Sequence, residues 1–584
     1  MTALERMSVA AIAVGVQTGR RSAVAVIDEV LERLAFYDRI QPAIWISRFD
    51  AEPLRAAAVA IDARVARGEV LPLAGVPFAV KDNIDVAGLD TTAACPAFAY
   101  SPDRSAAVVE RLIAAGAIPI GKTNLDQFAT GLNGTRSPYG IPRNAYSRAY
   151  VSGGSSSGSA VAVAAGLVAF ALGTDTAGSG RIPAAFNHLV GFKPTRGRWS
   201  SSGLVPACRT LDCITVFAAT VGDAASVDEA VAGFDSQDPF SRSLVDAPRP
   251  VRRIGIPRVD QRPWFGDIES DHLYESALAA VPGVELIAID MTPLGEAARL
   301  LYDGPWIAER TAALRPLLRD DPDAIHPVVR ELVEQGLSYS AVDTFEARYR
   351  LAELARAAEA MWAEVDILLL PTAPRCYRVA EMLAAPIALN ASLGVYTNFV
   401  NLLDMAALAV PAGSYASGVG FGVTLIGPAG TDRALMYAAN ALFPAPAPPP
   451  PLDLEGRMET VKLAVVGAHL KDMPLHWQLT SREARFLGAA KTAPVYRLYA
   501  MADSVPPKPA LVHSGDGAGI ALELYELDTA AFGSFVAEVP PPLAIGTITL
   551  EDGSQVKGFV AEPRAIIGAE DITTLGGWRA YVAR

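Results

Sequence analysis

Residues that build metal sites and disulfide scaffolds are scarce in this sequence of 584 residues. It holds 4 Cys and 6 His, and the four cysteines form neither a CxxC nor a CxC pair. No HExxH motif occurs. These absences argue against a disulfide-stapled fold and a zinc site, so we expect buried thiols in a reducing compartment, with no metal and no other cofactor.

Long apolar runs and an excess of positive charge are missing as well. The longest run of small apolar residues, 160–173, is shorter than the ~20 residues that a membrane span requires. Glu5 and Arg6 precede only a short apolar run, which does not resemble a signal peptide. Because 50 Lys+Arg stand against 63 Asp+Glu, the net charge is −13, and a nucleic-acid binder would need a basic face. We predict a cytoplasmic protein that binds neither membranes nor nucleic acid.

A proline-rich run at 444–451 (PAPAPPPP) is the clearest boundary in the chain. Such a run cannot continue a helix or a central strand, and it acts as a stiff extended spacer. We therefore predict a first domain over 1–443, a linker over 444–456 and a second domain over 457–584. Half of the chain is apolar (51%), which is enough for a large buried core.

The two predicted domains differ in their patterns. The first alternates helical and strand periodicity, which predicts a layered α/β fold. Its helical patterns cover 22–36, 51–67 and 105–115, and its strand patterns cover 73–80 and 117–120. The second carries strand-like runs, which predict a small β-rich α+β domain. They cover 461–466, 521–527 and 545–550.

The segment Gly116–Thr123 satisfies the phosphate-loop pattern GxxxxGK[ST]. A functional phosphate loop needs a strand before it and a helix that starts at its Lys-Thr pair. Here a helical pattern precedes the segment, and apolar residues with a proline separate its two glycines. We interpret it as a buried strand that ends in a polar turn, not as an ATP site.

Three segments carry residues suited to nucleophilic catalysis. They are a lysine after an apolar strand (Lys81), a Gly/Ser loop at 153–159, and the turn GTDTAGSGRIP at 173–183. A serine nucleophile needs a base, and the nearest histidine, His188, has no carboxylate pattern beside it. A lysine whose pKa is lowered by burial can replace it. Each segment alone is also typical of an ordinary loop or a solvated lysine, and their joint occurrence favours catalysis.

Together, and in this order, the three segments resemble the amidase signature family over the first 440 residues. The resemblance implies a large mixed β-sheet between layers of helices. It also implies a catalytic triad. In this implied triad, Ser179 is the nucleophile, Lys81 is the base, and Ser155, in the cis conformation, relays the proton between them. The implied oxyanion hole consists of the backbone N–H groups of Thr176, Ala177, Gly178 and Ser179. The chain has Ala-Gly-Ser where the family usually has Gly-Gly-Ser, a change that backbone donors tolerate.

The stretch 301–310 (LYDGPWIAER) indicates which class of substrate the site binds. If it is helical apart from Gly304-Pro305, then Tyr302 and Arg310 lie about two turns apart on one face. Arginine binds a carboxylate bidentately and tyrosine adds a hydrogen bond, although a solvated helix face fits the pattern equally well. The stretch resembles that of allophanate hydrolases, which implies that both residues hold a small anionic substrate, allophanate.

The segments 466–470 (VGAHL) and 473–479 (MPLHWQL) resemble the second domain of bacterial and fungal allophanate hydrolases. That resemblance implies a γ-glutamyl-cyclotransferase-like fold, with His469 as the candidate for assisting decarboxylation. A structural histidine at a strand end is the alternative.

The family reaction releases ammonia from allophanate at the amidase site, and the final products are ammonia and CO2. Homodimers are common in the subfamily, so we expect one here. The other hypotheses are a broad-specificity amidase, an amidotransferase A-type subunit that docks with partners and nucleic acid, and a non-catalytic binding protein.

Overall fold

The computed structural model describes residues 5–246, 250–444, 448–454, 460–482, 484–501 and 504–584. The chain forms two compact units, Met1–Gly456 and Arg457–Arg584. Five residues of the predicted linker, 445–447 and 455–456, lie outside the described residues. Within the predicted linker, Asp453 donates its N–H to the carbonyl of Ala145 at 3.0 Å, and its carboxylate accepts the N–H of Arg148 at 3.0 Å. The linker is therefore bound to the first unit at Asp453.

One mixed sheet of 11 strands forms the first unit, and its spatial order is β1-β3-β2-β4-β6-β5-β10-β11-β9-β7-β8. In chain order the strands are β1 (Trp45–Arg48), β2 (Pro77–Lys81), β3 (Ile118–Thr123), β4 (Phe170–Asp175), β5 (Val190–Lys193), β6 (Cys213–Ala218), β7 (Arg253–Pro257), β8 (Glu285–Ile289), β9 (Ile367–Pro371), β10 (Met405–Ser414) and β11 (Gly420–Pro428). Strands β2, β4, β6 and β9 are buried along their whole length, which explains why they are continuous apolar runs.

Helices flank this sheet, and the α/β class with a large mixed sheet is confirmed. The helices are α1 (Val9–Gln17), α2 (Ala23–Tyr37), α3 (Ala51–Ala66), α4 (Ala107–Ala114), α5 (Ser157–Ala164), α6 (Ile182–Phe186), α7 (Val221–Val231), α8 (Ile268–Ala279), α9 (Thr292–Arg299), α10 (Trp306–Asp320), α11 (Pro327–Gln335), α12 (Ala341–Met361), α13 (Val379–Ala384), α14 (Ala388–Leu393), α15 (Phe399–Leu402) and α16 (Asp432–Leu442). Helix α5 is wholly buried, and its small residues permit this. A Cβ at Gly158 would lie 2.4 Å from the carbonyl oxygen of Ile44.

The helical and strand patterns recognised in the sequence are confirmed as α2, α3, α4, β2 and β3, with ends that differ by a few residues. The phosphate-loop pattern falls on strand β3, and its Lys122 is buried. The ammonium of Lys122 lies 2.9 Å from Asp82 Oδ1 and donates to Thr91 Oγ1 at 2.9 Å. The lysine is thus held inside the protein and does not face a phosphate site.

The second unit is β-rich. Its strands are β12 (Thr460–Val465), β13 (Arg485–Lys491), β14 (Tyr496–Ala500), β15 (Pro509–His513), β16 (Ala521–Asp528), β17 (Leu543–Thr549), β18 (Gln555–Ala561) and β19 (Glu570–Asp571). They form one sheet in the order β13-β16-β12-β18-β17 and another in the order β15-β14-β19. Its helices are α17 (Trp477–Thr480), α18 (Thr529–Ala537) and α19 (Trp578–Val582). In the described ranges of both units, no helix has the length and apolarity needed to cross a membrane.

Candidate active site

Two parallel strands bring Lys81 to the centre of the candidate site. Strands β2 and β4 are parallel neighbours, so their carboxyl ends meet at one edge of the sheet. Lys81 ends β2, and its Nζ donates to Thr174 Oγ1 near the end of β4 at 2.7 Å. The same Nζ donates to Ser155 Oγ at 2.7 Å. The lysine predicted as base and the predicted bridging serine are therefore in direct contact.

The environment of Lys81 favours its neutral form. Its side chain is completely buried, and burial lowers its pKa from 10.5 to about 7. The carboxylates of Asp126, Asp212 and Asp175 oppose this effect, while the charge of Arg310 adds to it. Near pH 7, a lysine with this pKa is able to accept a proton.

Ser155 lies just before α5, and the peptide bond between Gly154 and Ser155 is cis. The backbone is tightly enclosed here: a Cβ at Gly154 would lie 2.1 Å from Asp126 Oδ2. The N–H of Asp126 also donates to the carbonyl of Ser155 at 3.0 Å. Only glycine fits before the serine, which explains the Gly-Gly-Ser sequence of the loop.

Ser179 lies on the turn between β4 and α6 and is 3% exposed. Its Oγ donates to the carbonyl of Gly131 at 3.4 Å. Among the residues that the structure describes, no hydrogen bond joins Ser179 to Ser155. The structure thus brings the lysine and the bridging serine together and leaves the predicted nucleophile bound to a carbonyl. Catalytic hydrogen bonds are often long until substrate binds, so this geometry is compatible with the predicted triad.

A buried ion pair holds the turn that carries Ser179. Asp175 accepts two hydrogen bonds from Arg181, both at 2.9 Å. The same carboxylate accepts the N–H groups of Gly178 at 2.9 Å and Gly180 at 3.0 Å. Gly178 has a φ of +128°, and a Cβ there would lie 2.4 Å from Thr397 Oγ1, so only glycine fits.

This arrangement corrects the predicted oxyanion hole in one respect. The N–H of Gly178 is directed at the Asp175 carboxylate, so it is not available to a substrate oxyanion. In the described part of the chain, the N–H groups of Thr176, Ala177 and Ser179 make no hydrogen bond with protein atoms. These three donors of the predicted oxyanion hole are therefore not taken by the protein itself. The carbonyl of Ala177 is fixed by the hydroxyl of Thr397 at 2.6 Å.

The side chain of Thr176 links the turn to a second buried acid. Its hydroxyl donates to Asp212, whose carboxylate also accepts the N–H of Ala207 at 2.8 Å and of Cys208 at 3.1 Å. Burial raises the pKa of Asp212 to about 6, although the hydrogen bond from Thr176 and the charge of Arg310 oppose the shift. Asp212 therefore titrates close to the range in which Lys81 does.

Tyr302 and Arg310 meet, but not on one continuous helix. Helix α9 ends at Arg299 and α10 begins at Trp306, so Tyr302 lies in the turn between them. The assumption of a helix that is disturbed only at Gly304-Pro305 is therefore wrong. Arg310 Nη2 nevertheless lies 3.4 Å from the Tyr302 hydroxyl, and its guanidinium carbon lies 5.3 Å from the centre of the tyrosine ring. Arg310 is 2% exposed, which excludes the alternative of a solvated helix face.

The second unit contains its own cavity, of about 220 Å³, beside His469. The Nε2 of His469 lies 2.7 Å from Gln478 Oε1, and its ring stacks on Phe559 with centroids 4.9 Å apart. Burial lowers the pKa of His469. Lys508 and Glu538 are the charged residues that line the same cavity. A neutral imidazole in a cavity with one cation and one anion is suited to binding a small polar molecule.

Sequence reasoning missed several residues of the site. Thr174 and Asp175 precede the nucleophile turn in the same motif, and their polarity at the end of a buried strand was a usable signal. Gly131 and Asp212 carry no such signal, because they reach the site through contacts distant in sequence. In the described residues, no group of three or more His, Cys, Asp or Glu side chains is arranged to hold a metal ion.

A buried lysine that bonds to a loop serine, with a second serine on the turn that follows the neighbouring strand, is compatible with a hydrolase that uses lysine as its base. The family model named Amidase matches residues 26–436. The model of the allophanate hydrolase C-terminal domain matches residues 461–583. The chain belongs to the amidase family.

Three relatives illustrate the similarity. The urea amidolyase of Saccharomyces cerevisiae is 43% identical over 589 residues, which cover 94% of this chain and 32% of that protein. The chain thus spans about a third of its length. The urea amidolyase of Lachancea kluyveri is 44% identical over 551 residues, which cover 88% of this chain and 30% of that protein. The solved structure of Kluyveromyces lactis allophanate hydrolase is 40% identical, covers 97% of each chain and superposes with a TM-score of 0.70.

Proposed function

We propose that this protein is an allophanate hydrolase that releases ammonia from urea-1-carboxylate in urea degradation. The observation that carries the proposal is the burial of Arg310 close to the predicted nucleophile. Its Nη1 donates to Thr130 Oγ1 at 3.2 Å, and the next residue, Gly131, accepts the hydrogen bond of Ser179. A buried guanidinium at this place favours a substrate that carries a carboxylate near its reacting amide.

In the first half of the proposed reaction, neutral Lys81 takes a proton from Ser155, which takes one from Ser179. Ser179 then attacks the terminal amide carbonyl of allophanate. The N–H groups of Thr176, Ala177 and Ser179 stabilise the oxyanion, and the proton returns through Ser155 to the leaving nitrogen. Ammonia departs and an acyl-enzyme remains.

In the second half, water attacks the acyl-enzyme and the same groups move its proton. The product is a dicarboxylate in which both carboxylates share one nitrogen. Arg310 and Tyr302 hold the carboxylate that was present in the substrate throughout. Loss of CO2 from this product gives carbamate, which decomposes to ammonia and a second CO2.

We assign assistance of this decarboxylation to the second unit, with a γ-glutamyl-cyclotransferase-like fold. The match to the allophanate hydrolase C-terminal domain and the cavity beside His469 support the assignment. The alternative of a purely structural histidine is disfavoured because the His469 side chain lines that cavity. We further propose that the domains are 1–443 and 457–584, joined by 444–456, in a cytoplasmic homodimer that needs no cofactor.

Ammonia release from freshly prepared allophanate by the purified chain tests the proposal. We expect turnover by the unaltered protein and none by Ser179→Ala, because the attacking oxygen is removed. Ser200→Ala is the matched control, since Ser200 is also buried but bonds to Asp235, away from the site.

The rival functions give different results in the same assay. A broad-specificity amidase would turn over neutral amides as well as allophanate. An amidotransferase component would be inactive without its partners. Full activity of Ser179→Ala would remove this residue from the role of nucleophile.

A further inference from the structure

Two buried arginines converge on one residue beside the predicted nucleophile. Arg310 Nη1 donates to the hydroxyl of Thr130 at 3.2 Å, and Arg136 Nη1 donates to the carbonyl of the same residue at 2.9 Å. Arg136 is 1% exposed and Arg310 is 2% exposed. The Nε atoms of both have no hydrogen-bond partner within the described residues. Two guanidinium groups thus share one threonine.

Over the part of the chain that the structure describes, the hydrogen-bond partners of these guanidinium groups are all uncharged. They are the carbonyls of Ala129, Thr130 and Pro386 and the hydroxyls of Thr130 and Tyr302. Arginine does not lose its proton in proteins, so each group brings a full positive charge into the interior. The nearby carboxylate of Asp126 attracts Arg136, but its oxygens already accept the backbone N–H groups of residues 133, 134 and 136.

The segment that carries Thr130 also contacts the nucleophile. Gly131 accepts the hydrogen bond of Ser179, and Phe128 and Ala129 adopt left-handed conformations with φ of 51° and 53°. Residues without a glycine's freedom keep such a conformation only where the surroundings enforce it. The two guanidinium groups are therefore held at a defined place, one residue from the carbonyl that binds the nucleophile.

Carboxylates that form no hydrogen bond with these groups, Asp126 near Arg136 and Asp212 and Glu309 near Arg310, compensate the buried charges only in part. The substrate carboxylate supplies one negative charge. When Ser179 attacks, the carbonyl oxygen acquires a second one, so the tetrahedral intermediate is a dianion. Deacylation likewise ends in a dicarboxylate. Each of these later states offers a second negative charge that a second guanidinium group can attract, whereas the substrate offers one.

We propose that Arg136 is a specificity-determining residue whose charge favours the dianionic states of the reaction, while Arg310 binds the substrate carboxylate. The inference rests on the proposed function. Because the second negative charge develops only after attack, the field of Arg136 acts mainly on kcat. Removing Arg310 instead weakens the binding of the substrate itself.

The test compares Arg136→Gln with Arg136→Lys in the full-length chain, using allophanate and biuret. Biuret replaces the carboxylate of allophanate by a neutral amide. We expect Arg136→Gln to lower kcat on allophanate by about 100-fold, while KM changes by less than about threefold. With biuret as substrate, Arg136→Gln lowers kcat/KM by less than about tenfold, because the tetrahedral intermediate formed from biuret carries only one negative charge.

Two controls separate charge from structure. Arg136→Lys keeps the charge and restores kcat on allophanate to within about tenfold of the unaltered protein. Arg6→Gln removes another arginine that bonds to uncharged groups, the carbonyls of His188 and Asn187 and the hydroxyl of Tyr146. It leaves the ratio of allophanate to biuret turnover unchanged. Equal losses of Arg136→Gln on both substrates, or no rescue by lysine, would overturn the proposal.

A measurement on the unaltered protein covers the case in which Arg136→Gln does not fold. Malonate is a dianion at pH 8, and malonamate is the monoanion of the same size. We expect malonate to inhibit at least about tenfold more strongly, because it engages both positive charges. Equal inhibition would refute the two-charge site even if allophanate is the substrate. Absence of allophanate turnover by the unaltered protein would refute the proposed function instead.

Discussion

The pH dependence of turnover is the most direct test of a lysine base in this site. Lys81 has a pKa of about 7, against an ordinary value of 10.5. At pH 7 about half of the lysine is neutral, whereas an ordinary lysine would be neutral in about 1 molecule in 3,000. We therefore expect kcat/KM to rise about tenfold per pH unit below pH 6 and to level off above pH 8, with a midpoint near 7.

Initial rates of ammonia release from fresh allophanate between about pH 5 and 9 measure this profile. Ser179→Ala provides the blank for spontaneous decomposition of the substrate. The Asp212 carboxyl has a pKa of about 6, so it titrates in the same range and the variant Asp212→Asn is needed. Because the carboxylate of Asp212 raises the pKa of Lys81, its removal shifts the midpoint to lower pH and preserves the profile.

Two results would refute the reasoning. A midpoint above pH 9 would mean that burial does not lower the pKa of Lys81 enough for it to act as base. Disappearance of the pH dependence in Asp212→Asn would mean that Asp212, and not Lys81, controls the rate. A lower kcat with an unmoved midpoint would assign Asp212 a purely structural role.

Two further predictions concern the turn and the second unit. Asp175→Asn leaves Arg181 buried without its carboxylate, so the free energy of unfolding falls by about 3–5 kcal/mol in urea denaturation, and ammonia release is lost. The control is Asp228→Asn, which breaks the buried ion pair with Arg198. This variant loses stability but keeps its kcat while it is folded. A loss of kcat as large as that of Asp175→Asn would contradict a specific role of Asp175. His469→Ala slows CO2 release from allophanate and leaves the first ammonia unchanged, as measured by parallel CO2 and ammonia assays. Unchanged CO2 kinetics would remove His469 from the decarboxylation.

The parts of the site that follow local patterns were predictable from the sequence. An apolar run that ends in Lys81 indicates a buried strand with a lysine at its end, and β2 confirms it. The glycines of the Gly/Ser loop are explained by the close packing at Gly154 and Gly158, where a Cβ would lie 2.1 Å and 2.4 Å from neighbouring oxygens. These features depend on neighbours within a few residues, so periodicity and residue size are sufficient to indicate them.

The parts that depend on distant partners were not predictable in this way. The family resemblance implied that Gly178 is an oxyanion donor, yet its N–H is taken by Asp175, whose carboxylate is in turn oriented by Arg181. Tyr302 approaches Arg310 although no helix joins them. Their meeting depends on how the turn before α10 packs, and spacing along the chain does not contain that information.

The contrast between the net charge and the site shows why whole-chain composition is a poor guide to substrate charge. A net charge of −13 reflects mainly exposed groups, whose fields are screened by salt within about 10 Å. Arg136 and Arg310 are buried, where screening is weak and each charge acts at nearly full strength on a bound molecule. Two such groups therefore outweigh a surface excess of carboxylates at the point of reaction. Under the proposed function, an acidic protein with this interior selects an anion because the sign of the site is set locally, by residues that the total charge does not distinguish from the rest.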